Sequence, residues 1–328
     1  MLRVLVLGGA RLLGPFVVEE LLRRGHEVAT LSRGQAEFRG PVRTFSGDAS
    51  DLAALRRACR SFRPEGLVDM LHHSPDHARV VAQAFGGKPA RPGVARSVHV
   101  SCASVYGTRP VCPVDEATEM LAPDRAPAEV AAQILADQVI AEAAAEGRLP
   151  GTIVRLGELY GPRHPRCAEW FFAKRALDGR TRIALPDGGL HICHRGFVQN
   201  MAWGVVQALT TKRAVGEVYD LGEEKLYTLA QLAQGVARAL DHKWDLYSVP
   251  GHLWTTPYAH TSFFDLRKAR AHLRYRDRMI PRDGLELTMA YLCQHPWGED
   301  WSWPGIEAAF DYQREDALIA EHGAPITT

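Results

Sequence analysis

The first fourteen residues constrain the chain more than any other stretch. Val4, Leu5, Val6 and Leu7 form an uninterrupted apolar run, the pattern of a strand buried on both faces of a parallel sheet. Gly8, Gly9 and Gly14 follow, and over 15–24 the apolar residues Phe16, Val17, Leu21 and Leu22 fall on one helical stripe. Gly25 stands where a left-handed helix cap belongs, and 26–31 reads as a second strand. This order predicts the opening unit of a dinucleotide-binding domain. Glycines let the main chain approach a pyrophosphate, and the N–H groups at the helix start hold its charge. The residues expected against the dinucleotide here are Gly8, Gly9, Ala10, Arg11, Leu12, Leu13 and Gly14.

The second strand runs into Ser32 and Arg33, where a bound dinucleotide presents its adenosine ribose. An acid there would accept from the 2′-hydroxyl and select NAD, whereas an Arg pairs a 2′-phosphate. No acid occupies 32–34, so the expected cofactor is NADP or NAD, with Arg33 leaning toward NADP. A third strand over 42–45 leads to Asp48, placed either to accept from an adenine amino group or to make a local turn. Asp51 is an expected N-cap for the next helix.

Residues 66–71 read as a strand, followed by His72, His73 and His77 in a loop at its carboxyl end, where such folds line their ligand crevice. His73 and His77 could share a helix face, but a third ligand is not evident and no metal is expected. A helix over 78–85 and a strand over 97–100 lead to Ser101 and Cys102. The Ala-rich helix over 128–146 precedes a strand over 152–156. Beyond it, helices over 168–177, 198–209 and 229–240 alternate with short strands, suggesting a smaller substrate lobe. Trp297, Trp301 and Trp303 are expected to cap that lobe.

Composition narrows the partners. A net charge of +1 over 328 residues gives no bulk field for nucleic acid or a membrane surface. No apolar run is long enough to span a bilayer. The chain starts directly in a strand, and its six cysteines show no C-x-x-C spacing, so a cytoplasmic location with reduced thiols is expected.

Several segments together resemble the extended short-chain dehydrogenase/reductase superfamily, that of NAD-dependent epimerases and dehydratases. They are Gly8 to Gly14; Gly47-Asp48 before a helix; Val100 to Gly107 (Val-Ser-Cys-Ala-Ser-Val-Tyr-Gly); Arg155 to Pro162; Arg195-Gly-Phe-Val198; and Tyr219-Asp-Leu-Gly222. The opening looks most like an atypical branch that includes chloroplast stem-loop RNA-binding proteins. The resemblance implies a Rossmann-type, doubly wound parallel α/β sheet spanning 1–165 with parts of 195–225. A smaller C-terminal α/β substrate lobe, mainly 166–328, completes the expected organisation, and a homodimer is expected through helix 128–146.

The resemblance also implies a Ser or Thr after the fifth strand and a Tyr-x-x-x-Lys pair on the next helix. A phenol ordinarily titrating near about pH 10 needs a neighbouring cation to act near neutrality. That pair is missing, because no Tyr lies between Tyr106 and Tyr160 and no Lys between Lys88 and Lys174. Aligning Ala136-Asp137 on the family's Ala-Glu places Glu129 at the Tyr position, Gln133 at the Lys position and Cys102 at the Ser/Thr position.

Three readings follow. The preferred one is an enzyme with a replaced acid/base set, acting on a small sugar- or nucleotide-like hydroxyl compound. Glu129 is its first candidate acid/base, and Cys102, Gln133, His73 and Tyr160 are further catalytic candidates. His72 and Ser101 are expected near the cofactor. The alternatives are a non-catalytic dinucleotide-binding protein and an RNA-binding protein of the same fold, with nucleic acid disfavoured by the near-zero charge.

Overall fold

Short apolar runs separated by helices that each bury one face produce a layered α/β arrangement. The computed structural model describes residues 1–34, 38–87, 93–109, 111–164, 167–257, 260–296 and 307–327. Trp297, Trp301 and Trp303 lie outside the described residues. The chain divides into two units. One comprises 1–158, 198–222 and 264–276, the other 159–197, 223–263 and 277–328.

The first unit is built on a seven-stranded, wholly parallel sheet. Its strands are β1 (Arg3–Leu7), β2 (Glu27–Ser32), β3 (Val42–Ser46), β4 (Gly66–Asp69), β5 (Arg96–Cys102), β6 (Gly151–Leu156) and the strand Val218–Leu221. Their spatial order is Val218–Leu221, β6, β5, β4, β1, β2, β3. The chain winds outward from β1 in one direction, returns to β4 on the other side, and then winds away. Helices α2 (Leu52–Phe62), α3 (Pro75–Phe85) and α4 (Ala128–Ala145) cover one face, and α1 (Gly14–Arg23) packs with Val198–Thr210. Leu5, Leu7, Leu55, Phe62, Val81, Phe85, Ile140 and Ile153 are among the residues of one core cluster. The fold is therefore a Rossmann-type, doubly wound parallel sheet.

Local chemistry sets the element ends. The α1 helix closes in a Schellman motif, with Gly25 at φ +75°, its N–H on Leu22 O and the His26 N–H on Leu21 O. Asp51 caps α2 by accepting from the N–H groups of Ala53 and Ala54. Helix α3 starts one turn earlier than the sequence reading placed it, because Ser74 accepts from the His77 N–H and Pro75 fits the first helical position. His77 therefore lies on a helix and His73 on the preceding loop.

In the second unit, strands Arg182–Pro186 and Asp245–Val249 run parallel, and Ala324–Pro325 pairs antiparallel with the latter. Arg175 is wholly buried there, its guanidinium 3.6 Å from the Phe171 ring centroid and its Nε 3.3 Å from Glu315 Oε1. A second buried network joins Tyr160, Glu223, Arg195 and Glu169. The Tyr160 hydroxyl donates to Glu223 Oε1. Arg195 donates through Nη1 to Glu169 at 2.7 Å and through Nη2 to Glu223 at 3.3 Å. Burial pushes the Glu223 carboxyl up to about 7, with Asp277 and Glu169 adding repulsion against the opposing pull of Arg195 and Tyr160.

Two expectations follow. An alanine Cβ at Gly14 would lie 2.4 Å from Gly8 O and 2.7 Å from Gly9 O, so Gly14→Ala costs roughly 3 kcal/mol or more. At Gly25 nothing lies within 4 Å of a Cβ, so Gly25→Ala bears only the left-handed backbone penalty of about 1 kcal/mol. Urea unfolding midpoints check both. The raised Glu223 carboxyl holds a proton in the native state that the unfolded chain has released, so its contribution to stability is lost as pH rises toward about 7. Melting curves from about pH 5 to about pH 8 should show the wild type losing ground to Glu223→Gln by a few degrees.

Candidate functional site

The sheet changes winding direction between β1 and β4, and the loops leaving their carboxyl ends meet there. Gly8 follows β1 at φ +84°, and a Cβ on it would stand 3.0 Å from the Leu71 side chain in the loop after β4. A Cβ on Gly9 would stand 2.8 Å from Thr30 Cγ2 of β2. Gly14 lets the first turn of α1 sit directly on the Gly8 and Gly9 carbonyls. Leu12 turns through the left-handed region at φ +53° and is exposed, as is Arg11, while Leu13 is buried. Ala10 is half-buried beside them. No side chain caps α1 and no acid lies in its first turn. The helix start therefore offers main-chain N–H groups and a positive dipole end to an anion. A dinucleotide pyrophosphate fits this turn, since three side chains that would fill it are missing.

At the end of β2, the Ser32 hydroxyl donates to Gly34 O at 2.6 Å and Arg33 is exposed. Asp48, also exposed, accepts through Oδ1 from the Ser50 N–H at 2.8 Å and hydroxyl at 2.7 Å. These bonds hold its carboxyl below the usual range, and Arg33 adds to the effect. Asp48 thus makes the local turn that its spacing allowed.

Beside the glycine turn lies a buried cluster centred on Asp137 of α4, one per cent exposed. Its Oδ1 is 3.1 Å from His72 Nε2 and 3.3 Å from Gln133 Nε2. Its Oδ2 is 3.1 Å from both Ser101 Oγ and Arg155 Nε. Burial alone would raise this carboxyl, but His72 and Arg155 bring it below its ordinary value, so it is ionised. Arg155 Nη1 donates to the Tyr106 hydroxyl at 2.8 Å, which donates to Asp220 at 2.9 and 3.0 Å. Burial and the Glu116 carboxylate push Asp220 up to about 7.

The sequence-derived candidates fall into distinct surroundings. His72, Ser101 and Gln133 converge on Asp137. His73 is exposed at the carboxyl end of β4, and desolvation moves its imidazole below the ordinary value, with Asp69 and Gln133 acting the other way. Glu129 is exposed on the first turn of α4, one turn before Gln133 on the same helix side. Cys102 is half-buried with Sγ 2.8 Å from Ser104 Oγ. Burial pushes its thiol up, reinforced by Asp137 and Glu158, so it is a neutral thiol rather than a thiolate. Tyr160 belongs to the second unit, where its hydroxyl is committed to Glu223 and its ring lies 4.5 Å from the Arg195 guanidinium. Burial and Glu223 push its phenol far above the ordinary value.

The sequence reading did not single out Asp137, Arg155 or Asp220. Two signals were available. Arg155 stands beside Ile153, Val154 and Leu156 in the strand 152–156, and a buried Arg requires an acid. Asp137 sits four residues after Gln133 on a helix face otherwise made of Ala and Ile.

The model of the NAD dependent epimerase/dehydratase family matches residues 4–222. The chain is 23% identical over 253 residues to the chloroplast stem-loop binding protein of 41 kDa b from Arabidopsis thaliana, covering 72% of this chain and 63% of that protein's length. It is 27% identical over 259 residues to 2′-dehydrokanamycin reductase of Streptomyces kanamyceticus, covering 76% of this chain and 70% of that one. Its fold is similar to the UDP-glucose 4-epimerase of Thermotoga maritima solved with UDP-glucose, with a TM-score of 0.71 at 20% identity, over 89% of this chain and 99% of that one. With the family model covering the sheet from β1 to its last strand, this chain belongs to the NAD dependent epimerase/dehydratase family.

Proposed function

We propose that this protein is a dinucleotide-dependent reductase that converts a carbonyl to a hydroxyl on a small sugar- or nucleotide-like compound, with NADPH preferred over NADH. The observation that carries the reading is the glycine turn at the winding switch, packed so closely that Gly14 has no room for a side chain. Bound there, the reduced dinucleotide would supply a hydride. Main-chain N–H groups of 8–14 would hold its pyrophosphate. Arg33 would pair a 2′-phosphate, and Asp48, Ser32, His72 and Ser101 would line the remainder. The reductase named among the relatives supports reduction as the direction.

His73 is the proton carrier in this reading. Gln133 Nε2 is committed to Asp137, which leaves Oε1 to accept from the His73 ring. Such a bond would orient one imidazole nitrogen and leave the other for a substrate oxygen. Desolvation keeps the ring largely neutral at pH 7, so protonation of the developing hydroxyl strengthens as pH falls toward the imidazole value. Cys102 supports this as a neutral hydrogen-bonding group. Glu129 is the competing carrier, favoured by its place one turn from Gln133. A homodimer through helix α4, where Leu135 is 38% exposed, belongs to the same reading. So does a cytoplasmic location, supported by six cysteines that no disulfide joins and by the lack, among the described residues, of a helix able to cross a membrane.

The first test is on the cofactor. Nucleotides released from the heat-denatured protein are identified by mass spectrometry, and the stripped chain is titrated with NADPH and NADH. NADPH should bind roughly tenfold or more tightly, and Arg33→Asp should erase the difference. Equal binding removes the NADP preference, binding of neither sinks the reading, and a non-exchangeable NAD favours epimerisation. Against a panel of keto-sugars, His73→Gln should lose about 10²-fold or more in kcat without loss of NADPH affinity. If His73→Gln keeps its kcat while Glu129→Gln loses it, Glu129 is the carrier.

A further inference from the structure

Behind the Asp137 cluster, on the sheet face covered by α3 and α4, three further polar side chains converge. Asp69 ends β4, and His99 stands directly opposite it in β5. Side chains of residues paired in register project to the same face. His72 reaches back from the loop after β4. All three are fully buried at 0% exposure. One ligand atom from each lies within 4.8 Å of the others, and the His72 and His99 rings are 5.4 Å apart.

The partners of these groups fix their protons. His72 Nε2 faces the ionised Asp137 carboxylate at 3.1 Å. A carboxylate only accepts, so Nε2 carries a hydrogen, and Nδ1 is the ring nitrogen left over to serve as a ligand. His99 Nε2 lies 3.0 Å from Ser97 Oγ, whose own hydrogen goes to Pro150 O at 3.3 Å. With His99 Nε2 turned to Ser97, its Nδ1 is the nitrogen that faces Asp69. Neither Nδ1 has a hydrogen-bond partner. His99 Nδ1 stands 3.5 Å from Asp69 Oδ2. Two imidazole nitrogens without hydrogen-bond partners and a carboxylate thus face one another in a dry interior, a donor set that a cation would satisfy.

We propose that Asp69, His72 and His99 form a buried site for one divalent ion of the zinc class. Two imidazole nitrogens and one carboxylate oxygen suit zinc rather than calcium or magnesium, which take oxygen ligands. Tetrahedral bonds of about 2.1 Å place ligand atoms about 3.4 Å apart. The Asp69–His99 pair already has that spacing at 3.5 Å, and the His72 ligand atom has to close in from within 4.8 Å. The outer layer has the form that metal ligands require. His72 is backed by Asp137 and His99 by Ser97. Asp69 is backed by the Leu71 N–H at 3.0 Å and by His77 Nε2 at 3.0 and 3.1 Å. The ion would join the end of β4 to β5 and, through His72, anchor Asp137. It is a different set from the His73–His77 pair that the sequence suggested and left without a third ligand. The inference does not depend on the reductase reading.

The test uses the full-length, tag-free chain. Elemental analysis of protein from zinc-supplemented medium should find about one zinc per chain. Cobalt added to chelator-stripped protein should give the visible bands of a low-coordinate nitrogen/oxygen site. Zinc should raise the melting temperature of the stripped chain by several degrees. Asp69→Asn and His99→Gln should each lose the ion. Because either variant could fail to fold, the wild type is also followed by nitrogen-15 NMR, where zinc should move the Nδ1 resonances of His72 and His99. The proposal is overturned if no zinc co-purifies and added zinc leaves both melting temperature and Nδ1 resonances unchanged, since a proton then fills the gap. It is equally overturned if folded His99→Gln retains the metal.

Discussion

A single buried carboxylate organises the interior of the sheet unit. Asp137 is carried in by α4 and receives hydrogen bonds from the loop after β4, the carboxyl ends of β5 and β6, and its own helix. An ionised carboxylate without partners is intolerable in such a place. Breaking a buried pair by removing one partner typically costs about 3–5 kcal/mol. The four donors therefore fix more than a charge. They set the depth of α4, the rotamer of Gln133 and the direction in which His72 points. The polar thread continues through Arg155 and Tyr106 to Asp220 at the far edge of the sheet.

The glycine turn is the complementary constraint. Asp137 works by attraction between distant elements, whereas Gly8, Gly9 and Gly14 work by leaving space. At Gly14 the space is bounded by main-chain atoms, which cannot step aside. At Gly8 and Gly9 it is bounded by Leu71 and Thr30 side chains, so those contacts also register β1 against its two neighbours. The residue at the N-cap of α1 is Leu13, which has no polar side chain, so no side chain caps the helix start.

Much of the fold was legible because it is written locally. Apolar runs gave β1, β4 and β6, helical stripes gave α1 and α4, and Gly25 and Asp51 marked helix ends through their own backbone chemistry. The start of α3 was missed although Ser74 and Pro75 are a local signal, because the histidines between strand and helix drew the reading toward a loop. The candidate site was less legible for a different reason. Asp137 is 65 residues from His72, 36 from Ser101 and 18 from Arg155, and no periodicity links them. Gln133 and Cys102 were found by position, but their bonding depends on neighbours that only the folded chain supplies. Tyr160 illustrates the limit: its Leu-Tyr-Gly-Pro setting does not reveal that Glu223 and Arg195 enclose it.

Cys102 shows how electrostatic surroundings decide reactivity. Oxidants and electrophiles attack thiolates, and reactive cysteines are usually found beside basic groups or helix N-termini. Cys102 does stand at the start of a short helical turn and is bonded by Ser104, both of which favour ionisation, but burial, with Asp137 and Glu158, outweighs them. A half-buried sulfur at the crevice is thereby made chemically quiet. Peroxide that would convert an activated thiol to a sulfenic acid meets a protonated one instead.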